Sequence, residues 1–200
     1  MERRLLGLEA EYGLLGVSKE EMRIITNKLL SGVKELGQEY LVSTEGEGSQ
    51  GMPIYWMRNG MKVYRDTSDH PEIAGASCLK VKDVVACDKA GEEIMRRLCR
   101  IINESGYCGE DIAIIKNNVA YKDADMTIRG QAVWGLHENF TVPVADFDET
   151  ANKEEQALDD GLILIPHLIT RTIYSGAGHI DYCAGAYSPV ISPRAAATNA

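Results

Sequence analysis

The sequence of 200 residues lacks several features that would place it in a class of proteins at once. No apolar run reaches the roughly 20 residues that a membrane-spanning helix needs, and the N-terminus has no signal-peptide pattern. The five cysteines include no CxxC pair, and their odd number and irregular spacing match neither a disulfide framework nor a zinc site. We therefore expect reduced thiols, no membrane partner and a cytoplasmic location.

Basic residues are also scarce relative to acidic ones. The formal net charge is −9, with 21 Lys and Arg against 30 Asp and Glu. Such a balance disfavours nonspecific binding to nucleic acid, because the phosphate backbone repels an acidic surface. No internal repeat and no linker-like stretch divides the chain, and the hydrophobic content of 44% is sufficient for a core. The length predicts one domain or part of one.

The pattern of apolar residues predicts strands that alternate with helices. Ser18 and Glu21 form a capping box at the start of the first helix, and Gly37 is expected to end it. Asp83 is expected to cap a second, long helix. The predicted elements after the first strand are a helix over 18–37, a strand pair over 54–66, a helix over 83–103, strands near 111–117 and 132–143, and a helix near 158–174.

A stretch of acids and a phenol, NGMKVYRDTSDHPE over residues 59–72, begins within the predicted strand pair. Alternation puts Lys62, Tyr64 and Asp66 on one face of the strand, and a proline stiffens the turn that carries Glu72. Such oxygen groups suit a hard metal ion or a phosphate site. The alternative is an edge strand with solvated charges, and this stretch taken alone favours that alternative.

Two further polar clusters change the balance. In the segment GLEAEYG, Glu9 and Glu11 share a glycine-flanked strand face, where two carboxylates are costly to bury without a cation such as Mg²⁺. In the segment GLHENF, His137 and the asparagine two positions later share a face. A lone histidine on a strand is more often a satisfied core residue. Three such clusters in one short chain favour a functional site.

The motifs occur in the order seen in the Pup ligase/depupylase family, which the sequence resembles over nearly its whole length. Enzymes of this family attach or remove the prokaryotic ubiquitin-like protein Pup. The segments that carry the resemblance are MERRLLGLEAEYG, NGMKVYRDTSDHPE, CDKAGEEIMRRL, IAIIKNN, GLHENF, LIPHLITRTIYSGAG and SPRA. The resemblance implies an α+β fold like that of glutamine synthetase and other carboxylate–amine ligases, with a curved, antiparallel-rich sheet and helices packed on one face.

The same resemblance implies how the chain is divided. The family's catalytic region continues beyond the SPRA motif, and a small domain follows it. We therefore expect residues 1–200 to form the N-terminal part of a single glutamine synthetase-like catalytic domain, with the C-terminal portion absent from this sequence.

The resemblance also implies the roles of individual residues. Asp66 matches the family's catalytic aspartate. The matches to the family's Mg²⁺ ligands are Glu9, Tyr64 and Glu72. The residues expected to contact ATP are Lys62, His137 and Arg194, although Arg194 is equally consistent with a surface charge.

In the reaction that the resemblance implies, ATP phosphorylates the side-chain carboxylate of Pup's C-terminal glutamate. Asp66 then takes a proton from a lysine amine of the target protein, which attacks the acyl phosphate and forms an isopeptide bond. The expected partners are Pup and lysine-bearing target proteins, which pupylation marks for degradation by the proteasome.

Departures from the family pattern leave alternatives open. Lys62 stands where an arginine is usual, and Ile73 and Gly75 replace an aromatic residue and a threonine, so a nucleotide contact is expected to be lost. The interval before the NGMKVYRD strand lacks the long loop of depupylases, which favours the ligase branch. The alternatives are a depupylase or Pup deamidase, a carboxylate–amine ligase with another substrate, and an inactive ATP-binding remnant.

Overall fold

The structure is a computed structural model, and its described residues divide into two compact units. The first unit takes in the described residues between 3 and 117 together with those between 134 and 141, and the second takes in those of 118–133 and 142–200. The residues that the structure describes are 5–37, 40–44, 53–116, 119–120, 132–133, 135–141, 162, 165–171, 179–183 and 186–190.

The predicted strand pair and the first two predicted helices are present, whereas Glu72, which the sequence predicts to lie in a turn, lies in the strand Pro71–Ala74. The strands are β1 Leu6–Glu11, β2 Gly13–Leu15, β3 Leu41–Ser43, β4 Tyr55–Met57, β5 Lys62–Arg65, β6 Pro71–Ala74, β7 Ala113–Ile115, β8 Val119–Ala120, β9 Ala132–Val133, β10 Leu136–Phe140, β11 His179–Cys183 and β12 Ala186–Val190. The helices are α1 Lys19–Ser31, which continues as a 3₁₀ helix over Gly32–Leu36, and α2 Val81–Glu104. Residues 165–171 are also helical.

A six-stranded sheet forms the centre of the first unit, with the strand order β10-β1-β6-β5-β4-β3. Every neighbouring pair in it is antiparallel. The strands β2 and β7 form a separate antiparallel pair in the same unit. This mixture of an antiparallel sheet and helices confirms the predicted α+β class.

The helices cover one face of that sheet. Ala10, Val63 and Ile73 point to this face, and they belong to one buried cluster with Leu29 of α1 and Leu98 of α2. Burial of these apolar side chains stabilises the layered arrangement by about 25 cal/mol for each Å² removed from water. The opposite face of the sheet is therefore left for polar side chains.

The ends of the two long helices test the capping predictions. The capping box of Ser18 and Glu21 is confirmed, and Gly37 ends the 3₁₀ extension of α1 with a φ of 96°. The prediction that Asp83 caps α2 is wrong, because the helix begins two residues earlier, at Val81. Asp83 lies in the first turn instead, where a carboxylate still interacts favourably with the helix dipole.

The second unit contains two short antiparallel pairs, β8 with β9 and β11 with β12. The helical residues 165–171 also belong to it, within the predicted range 158–174. In the part of the chain that the structure describes, no helix is both long and apolar enough to cross a membrane.

Replacing Gly75 by alanine is expected to weaken the junction between β1 and β6. The Gly75 amide donates to the Leu8 carbonyl at 2.7 Å, and an added Cβ would lie 3.0 Å from that oxygen. We expect the variant to lose about 1–2 kcal/mol of unfolding free energy, measured by urea denaturation. Gly7→Ala is the control, because its Cβ would meet only Asn139 Cβ at 3.8 Å. An equal loss in both variants would contradict this explanation.

Candidate active site

The polar face of the sheet carries most of the residues singled out in the sequence. Strand register sets their positions, since Glu9 lies opposite His137 and Tyr64 lies opposite Glu72. Lys62 lies opposite Trp56 on the next strand. Because side chains on paired positions share a face, five separate segments of sequence meet on one surface. The predicted alternation of β1, β5 and β10 is thus confirmed.

Carboxylates surround the imidazole of His137. Its Nδ1 lies 3.4 Å from Glu9 Oε2 and 4.0 Å from Glu72 Oε1, and its Nε2 lies 3.7 Å from Glu11 Oε1. One ligand atom each of Glu9, Glu72 and His137 falls within 4.8 Å of the others. Their burial differs, since the His137 side chain is 48% exposed and that of Glu72 only 6%. The Glu72 carboxyl therefore lies at the buried bottom of the cluster, and His137 lies at its solvent-exposed rim.

Glu11 is a member of this cluster that the predicted ligand set omits. Its Oε2 accepts a hydrogen bond from the Gly135 amide at 2.7 Å, and its own amide donates to the Gly135 carbonyl at 3.0 Å. These bonds attach the start of β10 to the end of β1 and hold His137 over the carboxylates. The signal for Glu11 was present in the sequence, since it shares a strand face with Glu9.

The Glu72 carboxyl is the electrostatic centre of the cluster. Burial raises its pKa to about 7, and the nearby carboxylates of Glu11 and Glu9 add to the shift, although a hydrogen bond with Tyr64 opposes it. Burial and the proximity of Glu72 also raise the pKa of the Tyr64 phenol, so Tyr64 stays neutral. The negative charge gathered here is thus only partly compensated by the protein's own groups.

Asp66 lies in the turn between β5 and β6, and that turn holds its carboxylate in place. Asp66 Oδ1 accepts hydrogen bonds from the amides of Ser68 at 2.9 Å and His70 at 2.6 Å. A hydrogen bond from the Thr26 hydroxyl of α1 to the Asp69 carbonyl, at 2.7 Å, attaches the turn to that helix. Burial raises the pKa of Asp66, although the two amide bonds partly offset this shift.

An ion pair between a buried arginine and a partly exposed aspartate supports the same turn. Arg65 is 1% exposed on the helix-covered side of the sheet, and its guanidinium pairs with the Asp69 carboxylate. Asp69 has a φ of 71°, a left-handed conformation that asparagine and aspartate tolerate better than other side chains. The pair thus holds the turn at its most strained residue.

The Lys62 ammonium lies 4.6 Å from the centre of the Trp56 ring, in a cation–π contact. Trp56 is 37% exposed and is a second residue that the sequence prediction omits. The expectation that Ile73 marks a lost nucleotide contact is not supported by its position. Ile73 is 3% exposed and packs in the core on the helix side, so its side chain does not belong to the polar face. Arg194 lies outside the described residues.

The chemistry of this donor set fits a divalent cation. Glu9 and Glu72 supply the carboxylate oxygens that Mg²⁺ prefers, and His137 adds a nitrogen at the rim. Tyr64 is connected to the cluster through its hydrogen bond to Glu72. The raised pKa of Glu72 shows that ionising this carboxyl is unfavourable here, and a bound cation would offset that cost.

Comparison with known proteins shows the family to which the chain belongs. The sequence profile of the family described as Pup-ligase protein matches residues 4–199. The chain belongs to the Pup ligase family. A Pup–protein ligase of Nocardioides sp. (strain ATCC BAA-499 / JS614) is 30% identical over 200 residues, which cover 98% of this chain and 38% of the relative. One of Kribbella flavida is 30% identical over 185 residues, 90% of this chain and 35% of the relative.

A solved structure agrees with the Pup ligase assignment. The crystal structure of the complex between the prokaryotic ubiquitin-like protein Pup and its ligase PafA matches with a TM-score of 0.64 and 26% identity. The match covers 96% of this chain and 35% of that chain. The present chain thus spans little more than a third of the length of these relatives.

The pKa of Glu72 predicts how the metal-free chain responds to pH. The folded state binds this proton more tightly than the unfolded state, so stability due to Glu72 is present below pH 4.5 and is lost as the pH rises through about 7. We expect Glu72→Gln to be more stable than the original chain at pH 8, by up to about 3 kcal/mol, and nearly equal to it at pH 4.5. Urea denaturation in EDTA measures the difference.

The control for this comparison is Glu138→Gln, since Glu138 neighbours His137 on β10 but alternates to the other face. The pH dependence of Glu72→Gln is therefore compared with that of this variant. A Glu72→Gln chain that is less stable than the original at pH 8 would show that the Glu72 carboxylate is already compensated in the fold.

Proposed function

We propose that this chain carries the metal-binding and base-bearing part of an ATP-dependent Pup ligase site. The reaction joins the side-chain carboxylate of Pup's C-terminal glutamate to a lysine amine of a target protein. The observation that carries the proposal is the cluster of Glu9, Glu72 and His137 on the same sheet face as Tyr64. Family membership and the names of the relatives support the same reaction.

In this proposal Glu9, Tyr64 and Glu72 would hold Mg²⁺, as the family resemblance implies, and His137 lies at the rim. The hydrogen bond of Tyr64 also fixes the Glu72 carboxylate. Magnesium supplies positive charge that offsets the charge of the transferring phosphoryl group when ATP is bound. The half-exposed His137 is the member of the cluster that a phosphate can reach from solvent. A neutral phenol at Tyr64 adds no further negative charge to the carboxylates of the cluster.

Asp66 is proposed as the general base. Its two hydrogen bonds from backbone amides are both to Oδ1, which leaves Oδ2 to accept the proton of the lysine ammonium or amine. Burial raises the Asp66 pKa, and a carboxylate with a raised pKa is a better base near neutral pH than an exposed one. The Arg65–Asp69 pair and Thr26 then keep the turn fixed while the substrate changes charge.

Lys62 is proposed to contact the nucleotide. Its ammonium is on the same face as the carboxylates and lies over the Trp56 ring. A bound nucleotide can therefore contact both the Lys62 ammonium and the Trp56 ring. A lysine provides a point charge where an arginine would provide a planar fork. The nucleotide contact of Arg194 and a cytoplasmic location stay predictions.

The ligase proposal is tested in the whole protein that carries this sequence, incubated with Pup, ATP, Mg²⁺ and a lysine-bearing target. We expect a Pup–target conjugate in gel and mass analysis, and a loss of roughly 100-fold or more in its rate in Asp66→Asn, because the amide cannot accept the proton. Asp83→Asn, on the exposed first turn of α2, is the control and should conjugate normally.

Two outcomes would count against parts of the proposal. Unchanged conjugation by Asp66→Asn would remove Asp66 from the role of base. Release of Pup from a preformed conjugate, with no conjugate formed from free Pup, would assign the protein to the hydrolytic branch of the family instead.

The metal proposal is tested separately on the chain as it stands. Mn²⁺, a paramagnetic substitute for Mg²⁺, is titrated and followed by electron paramagnetic resonance. Removing a ligand in Glu9→Gln or Glu72→Gln is expected to weaken Mn²⁺ binding at least roughly tenfold. Mutation of residues that only hydrogen-bond to metal ligands already lowers metal affinity by about that much. Glu138→Gln is the matched control. Equal Mn²⁺ affinity in all four proteins would place the cation elsewhere.

A further inference from the structure

Two cysteines from different elements meet on the helix-covered side of the first unit. Cys78 follows β6, Cys87 lies in the second turn of α2, and their Sγ atoms are 3.8 Å apart. Of the four cysteines with described side chains, the other two are placed differently. Cys99 donates its thiol to the Ile112 carbonyl, and Cys108 lies after α2. The pair is therefore a specific juxtaposition rather than a general thiol-rich region.

The backbone fixes one partner of the pair. The Cys78 amide donates to the Leu6 carbonyl at 2.8 Å, and the Leu6 amide donates to the Cys78 carbonyl at 2.8 Å. The Cys78 thiol also contacts the Ala76 carbonyl at 3.2 Å. Cys87 packs on the other side, against Gly75, where the absence of a side chain lets the helix approach. The two sulfurs are held near each other by the fold and not by a flexible loop.

The two thiols differ in access to solvent. Cys78 is buried, whereas Cys87 is only partly buried. Burial, and then the contact with Cys87, raises the pKa of the Cys78 thiol. The more accessible Cys87 is thus the group that a small oxidant reaches first, and the buried Cys78 is the neighbour that can react with the product.

We propose that Cys78 and Cys87 form a dithiol site that a peroxide oxidises to a disulfide. In the first step the Cys87 thiolate attacks a peroxide oxygen, the O–O bond breaks, and a sulfenic acid and hydroxide form. In the second step the Cys78 sulfur attacks the Cys87 sulfur, the S–O bond breaks, and water leaves. The two thiols lose two electrons to one hydrogen peroxide, and their two protons end in the two waters released.

Closing the bond requires the sulfurs to approach from 3.8 Å to about 2.0 Å. The change is small because both cysteines are already in van der Waals contact. The bond would join α2 to the segment that pairs with the start of β1, closing a loop over residues 79–86. The disulfide is independent of the proposed ligase function, since neither thiol is part of the polar face.

The experiment treats the folded chain with hydrogen peroxide, blocks remaining thiols with N-ethylmaleimide, and maps the peptides by mass spectrometry. We expect a cross-linked peptide that contains Cys78 and Cys87, lighter by two hydrogens and cleaved by dithiothreitol. The oxidised chain should also show a higher thermal midpoint than the reduced chain. Cys87→Ser should abolish both the cross-link and the shift, and Cys108→Ser should retain them.

The result that would overturn the proposal is alkylation of both Cys78 and Cys87 after peroxide treatment, or a sulfinic acid at Cys87 with no cross-link. A cross-link between Cys87 and a different cysteine would overturn it as well. Cys87 is the residue to vary because it is partly exposed, so its serine variant retains the buried packing around Cys78.

Discussion

The pairing of β1 with both β6 and β10 is the constraint on which the rest of the site depends. It brings Glu9 and Glu11 beside Glu72 on one side and His137 on the other, although these residues come from three distant parts of the chain. The pairing is held by backbone ladders and by the Glu11–Gly135 bonds at the end of β1. A slip of β6 by one residue would turn Glu72 toward the apolar core, and the same slip of β10 would turn His137 there.

Because the fold concentrates carboxylates on one face, it also concentrates a free-energy cost there. The sheet's other face buries apolar residues against α1 and α2, which stabilises the arrangement and offsets that cost. The raised pKa of Glu72 shows that burial and the neighbouring carboxylates still disfavour ionisation of this group. The proposed ligase chemistry rests on this pattern, namely the carboxylates of the polar face and the Asp66 carboxylate in the adjoining turn.

Much of this could be predicted from the sequence, because local rules carry it. Period-two alternation placed Glu9, Tyr64 and His137 on the polar faces of their strands, and the serine–glutamate spacing located the start of α1. The rest depends on contacts between distant residues. No local signal shows that Glu11 bonds to Gly135, that Lys62 lies over Trp56, or that Cys78 meets Cys87. Ile73 was misjudged because the sequence predicts a turn around Glu72, whereas β6 is a strand whose alternation puts Ile73 on the core face.

The central claim is that the Glu9–Glu72–His137 cluster is where a divalent cation binds. The most direct measurement is anomalous X-ray diffraction from crystals of the chain grown with Mn²⁺. The account predicts one strong anomalous peak in contact with oxygens of both Glu9 and Glu72, and its loss in crystals of Glu72→Gln. A principal peak elsewhere on the first unit, with the cluster carrying no manganese, would contradict it.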